Sequence, residues 1–410
     1  MEIDMSETMP GIGRFDAARL GRIDAFLKER YLDSGRLANA QILIARDGEI
    51  AHFSSQGPAR EGGKSINEGS LFRIASMTKP ITSIAFMMLV EQGKVALDTP
   101  VHHVLPAFKG IGVYNGGGGG VPFQTRPTTE PMRMLDLLRH TSGLTYSFQN
   151  RSYVDAAYRE GKIENWHGNL NLDGFIEAVA NVPLEFSPGE AWNYSVSTDV
   201  LGAVVEKVSG QSLADFFRTQ IFAPLKMDDT FFAVPEDKID RLTDCYTFAP
   251  EKGRFLYDRG EASAWSRPPK LVSGGGGLVS TALDYHRFCS MLLNGGELDD
   301  ARIVGRKTIE LMTMNHLPGG SDLSTMSKSL FSETANAGTG FGLGFAVNID
   351  VARSMIPGSV GEYYWGGMFS TAFFVDPVEQ LSMVFMTQMS PSNVYPIRRE
   401  LKTLIYSALT

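Results

Sequence analysis

Two cysteines in 410 residues, Cys245 and Cys289, cannot build a disulfide framework and lack the spacing of metal ligands, so they read as reduced structural thiols. The seven histidines show no His-x-x-x-His or related spacing, so no metal is expected. Basic residues are outnumbered, 38 Lys and Arg against 46 Asp and Glu, for a formal net charge of −8. No Lys/Arg cluster overrides that balance, which argues against nucleic acid or an anionic membrane as the main partner. No apolar run is long enough to span a bilayer. The opening residues, Met1 to Glu7, are acidic and lack the apolar core of a signal peptide, which points to a cytoplasmic protein.

What is present is ordinary globular composition, 43% apolar and 20% charged, in a chain long enough for one large domain or two smaller ones. After a loose lead-in over 1–14, Leu20, Ile23, Phe26, Leu27 and Tyr31 share one helical face. Apolar-rich runs on either side of Asp47-Gly48 predict a two-residue hairpin. From Pro100 to about Thr129 the chain reads as irregular, and the five glycines Gly116 to Gly120 read as a mobile loop. Short helices are expected over 132–139, 172–180, 199–208 and 213–221, and a strand pair at 246–248 and 255–257. Further helices follow over 281–293 and 304–312, then a polar, irregular stretch over 318–340. A strand over 341–348, a meander over 371–386 and a closing amphipathic helix from Ile397 complete the chain. Strands next to helices at both ends predict an α/β (α+β) fold, a central antiparallel sheet flanked by helices and interrupted by a mostly helical domain. On this reading 1–95 and 235–410 form the α/β domain, 96–234 the helical domain, and the active site lies in the cleft between them.

The organising stretch is Ser76-Met77-Thr78-Lys79. Of all the lysines, Lys79 alone has a serine three residues before it. That spacing puts a hydroxyl and an amine one turn apart on one helix face. Ile81, Ile84, Ala85, Met88 and Leu89 continue an apolar helix, and Pro80 is tolerated in its first turn. Ser76 should thus lie at the mouth of a buried helix, where free N–H groups and the positive dipole end favour a developing oxyanion. The same four residues also fit a capping serine followed by a surface lysine. An ordinary lysine, with a reference pKa of about 10.4, is protonated at neutral pH. Desolvation or a second group sharing the proton is needed, and Tyr194 is the candidate, although its spacing alone reads more readily as a core tyrosine with one hydrogen bond. His140, beside the Ser142-Gly143 turn, reads more readily as a structural histidine than as a base.

Taken in order, Ser76-x-x-Lys79, His140-Thr141-Ser142-Gly143-Leu144, Pro188-Gly189-Glu190 ahead of Tyr194-Ser195-Val196, Gly275-Gly276-Gly277-Leu278 with Ser280-Thr281, and Trp365-Gly366-Gly367 resemble the class C β-lactamase-like and penicillin-binding serine hydrolases. Within that superfamily the chain looks most like the family VIII carboxylesterases. True β-lactamases of this class carry Tyr-x-Asn and Lys-Thr-Gly, where this chain has Val196 and Trp365-Gly366-Gly367. The exchange replaces an amide and an ammonium by an apolar wall, which suits a neutral acyl ester. The resemblance implies a β-lactamase/transpeptidase-like fold, Ser76 as nucleophile, and Lys79 with Tyr194 as a coupled proton-transfer pair. It also implies an oxyanion hole from the backbone N–H groups of Ser76 and Met368, and no metal or organic cofactor. On the same resemblance Trp365, Gly366 and Gly367 are expected to form the substrate wall, although Trp365 alone also fits plain core. The expected activity is hydrolysis of short-chain acyl esters, with weak or side-chain-selective β-lactam cleavage. β-Lactamase, D-amino-acid peptidase, acyl transfer or a non-catalytic scaffold are the other readings, and family analogy leaves a homodimer open.

Overall fold

The structure, a computed structural model, describes residues 15–328 and 336–410. The lead-in over 1–14 and part of the polar stretch near 330 lie outside the described residues. Seven strands build the central sheet: β1 (Ala40–Arg46), β2 (Glu49–Gln56), β3 (Thr339–Phe341), β4 (Ala346–Asn348), β5 (Tyr363–Gly366), β6 (Ala372–Asp376) and β7 (Leu381–Met386). Their order across the sheet is β3-β4-β5-β6-β7-β1-β2, and every neighbouring pair is antiparallel. The Asp47-Gly48 turn closes β1 on β2 with both residues at positive φ (53° and 85°), the backbone that a tight two-residue hairpin requires.

One sheet face is covered by the two terminal helices, α1 (Ala17–Leu27) and α5 (Ile397–Ser407). Leu20, Ile23 and Leu27 of α1 meet Ile397, Leu401 and Ile405 of α5 over Ile42, Ile44, Phe374 and Phe385 of the sheet. The other face packs against α4 (Ala282–Leu293), while α2 (Thr78–Glu91) packs on α3 (Ser197–Ser209) and shares one core with that face. Every residue of α2 from Thr78 to Leu89 is buried, so it serves as the spine of the larger core. Cys245 and Cys289 are free and buried, with their thiols pushed upward by burial, Cys245 to about 12. Among the described residues no helix is long and apolar enough to cross a membrane.

Two local expectations are corrected. The stretch around the five glycines is a hairpin, Val113–Gly118 against Val121–Arg126. Its glycines are needed for packing: a Cβ on Gly117 would stand 2.2 Å from the Pro122 carbonyl oxygen, and one on Gly118 would stand 2.4 Å from Cβ of Tyr153. The run over 341–348 is not one strand but the end of β3, a tight turn and β4. Gly344 turns the chain at φ 101°, and a Cβ on it would strike the Ser83 hydroxyl of α2 at 2.3 Å.

Burial also sets a pH dependence. His286 on α4 is pushed down to about 4, chiefly by desolvation and secondarily by the neighbouring Arg287 charge. Between the unfolded value near 6.5 and about 4, the unfolded chain holds a proton that the folded chain refuses. Folding stability is therefore lost as pH falls through that window, by up to about 1.4 kcal/mol per pH unit for this group. In urea titrations at pH 7 and pH 5, wild type should lose more stability on acidification than His286→Asn. Equal losses would exclude His286 as a contributor.

Candidate active site

Ser76 lies at the end of an extended segment, Phe72–Arg73, that pairs with Val279–Ser280. A short helical turn, Ala75–Met77, then leads into α2. Ala75 adopts φ 44°, a left-handed backbone that costs a non-glycine residue roughly 1–3 kcal/mol. The bend leaves Ser76 partly exposed between fully buried neighbours, while Lys79 is 2% exposed. The lysine is therefore no surface residue, and the capping-serine alternative does not describe this stretch.

Lys79 Nζ stands 3.2 Å from Ser76 Oγ, 3.1 Å from Tyr146 Oη and 2.6 Å from the carbonyl oxygen of Gly275. An ammonium donates to all three. A neutral amine donates to Gly275 and Tyr146 and turns its lone pair to the Ser76 hydroxyl, so one geometry fits both ends of a proton transfer. The Gly275 carbonyl is itself held in place. Asp199, in the first turn of α3, accepts from the Gly275 N–H at 3.0 Å and from the Ser273 hydroxyl. Thr82 of α2 donates to Gly274 O at 2.6 Å, and the Leu278 N–H donates to Thr78 Oγ1 at 3.2 Å. A Cβ on Gly275 would stand 2.3 Å from Asp199 Oδ2, which explains a glycine there.

Tyr194 sits beside this cluster, with its ring centroid 4.6 Å from Lys79 Nζ and its hydroxyl accepting from Trp365 Nε1 at 3.4 Å. The lysine thus has two tyrosines at hand. Tyr146, within hydrogen-bond distance, was not among the expected site residues. Burial first, then the Asp199 carboxylate and Tyr194, push its phenol well above the usual range. Tyr146 is accordingly a phenol O–H at neutral pH, suited to donating and passing on a proton but not to resting as phenolate. Burial raises the Asp199 carboxyl too, with the Lys79 charge opposing. Neither Tyr146 nor Asp199 carries a short-range signal. Their one hint in sequence is position, six residues after His140 and five after Tyr194.

His140 plays the supporting part expected of it. It is buried, at φ 57°, with Nδ1 3.3 Å from Ser195 Oγ and its ring 4.9 Å from that of Tyr194. Desolvation, helped by the Lys79 charge, holds its pKa well below 6.5, so it is neutral. Trp365 forms a wall with Tyr194 and Phe341, at ring separations of 5.3 and 5.4 Å. Val196 is fully buried, so the other half of the expected apolar wall has no surface facing the site.

Gly366 ends β5, and a turn from Gly367 to Thr371 leads into β6. Met368 is the exposed tip of that turn. The Gly367 N–H donates to Thr371 O at 2.9 Å and the Ser370 N–H to Gly367 O at 3.1 Å. Thr371 Oγ1 reaches Ile74 O at 3.3 Å, which ties the turn to the backbone just before Ser76. A Cβ on Gly367 would lie 2.4 Å from that same Ile74 oxygen, so the second glycine is what lets the two segments touch. Among the described residues no group of His, Cys, Asp and Glu is arranged to hold a metal ion.

A Ser–Lys couple at the head of a buried helix, beside an antiparallel sheet backed by both terminal helices, defines a serine-hydrolase-like site on a β-lactamase/penicillin-binding architecture. The chain belongs to the beta-lactamase family, whose model matches residues 23–406. It is 32% identical over 363 residues to protein Rv1367c of Mycobacterium tuberculosis H37Rv, covering 88% of each chain. It is 31% identical over 412 residues to esterase EstB of Burkholderia gladioli, covering 96% of each. Among solved structures it is similar to EstCE1, a hydrolase with promiscuous acyltransferase activity, with a TM-score of 0.78 at 26% identity over 95% of this chain and 99% of that one. The superfamily and the mixed fold that the ordered motifs imply are therefore both met.

Proposed function

We propose that the protein is a serine carboxylesterase that hydrolyses short-chain acyl esters through an acyl-enzyme on Ser76. The observation that carries this is the 3.2 Å approach of a buried Lys79 amine to a partly exposed Ser76 hydroxyl. In this reading Ser76 Oγ attacks the ester carbonyl as its proton passes to neutral Lys79. The oxyanion is held by the Ser76 and Met368 backbone N–H groups. Collapse breaks the bond to the alkoxy oxygen, which leaves as the alcohol with the proton returned from Lys79 through Tyr194 or Tyr146. Water then attacks the acyl-enzyme with the same groups as base, releasing the carboxylic acid and restoring Ser76.

The esterase relatives support this choice among acyl-transfer reactions, and so does the wall itself. Trp365 offers an indole where a charged anchor for a lactam carboxylate would be needed. The test is a panel of p-nitrophenyl acetate, butyrate and octanoate with nitrocefin. Fast turnover of acetate and butyrate with slow nitrocefin cleavage is expected. Nitrocefin cleaved faster than every ester would move the assignment to β-lactamase. Ester turnover that rises severalfold when an alcohol acceptor is added, with the acyl group recovered on that alcohol, would move it to acyltransferase.

A further inference from the structure

The backbone that would bind the oxyanion is gripped from behind by one side chain. Arg398, in the first turn of α5, sends Nη2 to two carbonyl oxygens of the turn, Gly367 at 2.7 Å and Thr371 at 2.9 Å. Each of these oxygens already accepts one backbone N–H within the turn, from Ser370 and Gly367 respectively. The arginine therefore fills the second lone pair of each. Room for it comes from Gly366, where a Cβ would fall 2.6 Å from the guanidinium carbon. The two glycines after Trp365 thus have separate reasons: one admits the Arg398 head, the other admits the Ile74 carbonyl.

The Gly367 carbonyl and the Met368 N–H belong to one planar trans peptide unit and point in opposite directions. Holding the oxygen on the α5 side fixes the N–H on the other. A glycine at the hinge of that unit would otherwise make a peptide flip cheap. A cationic donor on the oxygen also polarises the amide and makes its N–H a stronger donor. We infer that Arg398 is a positioning residue for ester hydrolysis: from the far side of the Gly367–Met368 peptide it aims and polarises the Met368 N–H at the oxyanion. It touches neither substrate nor reacting atoms. The inference rests on the proposed acyl-enzyme reading and adds a residue that this reading does not use.

The experiment compares wild type, Arg398→Met, Arg398→Lys and, as a control on the same helix, the exposed neighbour Arg399→Met. Two readouts are taken: kcat and KM for p-nitrophenyl butyrate, and the inhibition constant of n-butylboronic acid, whose tetrahedral adduct on Ser76 mimics the oxyanion. Losing one oxyanion donor outright costs about 10²–10³-fold. Loss of aim and polarisation should cost Arg398→Met roughly 10–100-fold in kcat, with KM within about twofold and boronate affinity reduced by the same factor as kcat. A single nitrogen, Nη2, bridges both oxygens, and Arg398→Lys also offers several N–H donors on one nitrogen but on a shorter side chain, so it should fall between, and Arg399→Met should match wild type. Circular dichroism and Tm check that each variant is folded. A folded Arg398→Met with unchanged kcat, or one that loses kcat but binds the boronate as tightly as wild type, would overturn the inference. If wild type itself bound the boronate no better than Ser76→Ala, the acyl-enzyme reading would fall, and this inference with it.

Discussion

Ser76→Ala should lower the hydrolysis of p-nitrophenyl butyrate by at least about 10³-fold and abolish labelling by a fluorophosphonate probe, with little change in fold. The physical basis is local. Ser76 is partly exposed at the start of a helix buried from Thr78 to Leu89, so deleting one oxygen opens no core cavity. It removes one of the three partners of Lys79 and leaves Gly275 and Tyr146 to hold the amine. Circular dichroism and thermal unfolding would confirm the intact fold. Retention of more than a tenth of wild-type activity would exclude Ser76 as the nucleophile.

Lys79→Met should be nearly as damaging to rate, because general-base assistance contributes about 10²–10⁴-fold and no other amine in the cluster can replace it. Methionine keeps the apolar bulk inside α2 but strands the Gly275 carbonyl and takes one partner from the Tyr146 hydroxyl, so some loss of thermal stability should accompany the loss of rate. The expected sign is loss of the acylation burst in pre-steady-state kinetics. The paired substitutions Tyr146→Phe and Tyr194→Phe then divide the relay. If Tyr146→Phe carries the larger loss, the hydrogen bond to Lys79 marks the working path. If Tyr194→Phe does, the path runs by the tyrosine beside Trp365. Near-normal turnover by Lys79→Met between pH 7 and 9 would remove the lysine from the mechanism.

The parts of this site legible in sequence are those built from neighbours along the chain. The Ser76–Lys79 spacing, the first-turn Pro80 and the apolar run of α2 fix each other within a few residues. The same is true of the Asp47-Gly48 hairpin and the apolar faces of α1 and α5. What stayed hidden depends on contacts between distant segments. Tyr146 reaches Lys79 across 67 residues, and Lys79 reaches Gly275 across 196. Asp199 acts through Gly275 across 76. The glycine run at 116–120 looked slack because its partners, Pro122 and Tyr153, cannot be read from composition. The run at 341–348 looked continuous because an apolar pattern does not reveal where a turn must clear Ser83. Trp365-Gly366-Gly367 was legible as a wall, but the reasons for its two glycines, Arg398 and Ile74, lie in remote parts of the chain.

The left-handed backbone at Ala75 has a consequence for anyone who would make this protein tougher. The residue before the nucleophile holds the chain in a shape that glycine would adopt without penalty, so the native state spends conformational energy at the one point where Ser76 must be held still. A selection for heat resistance alone would tend to relax that point and let the hydroxyl wander. Durability and turnover therefore pull against each other at position 75, and improvements in shelf life are better sought far from it, on surfaces that the reaction never feels.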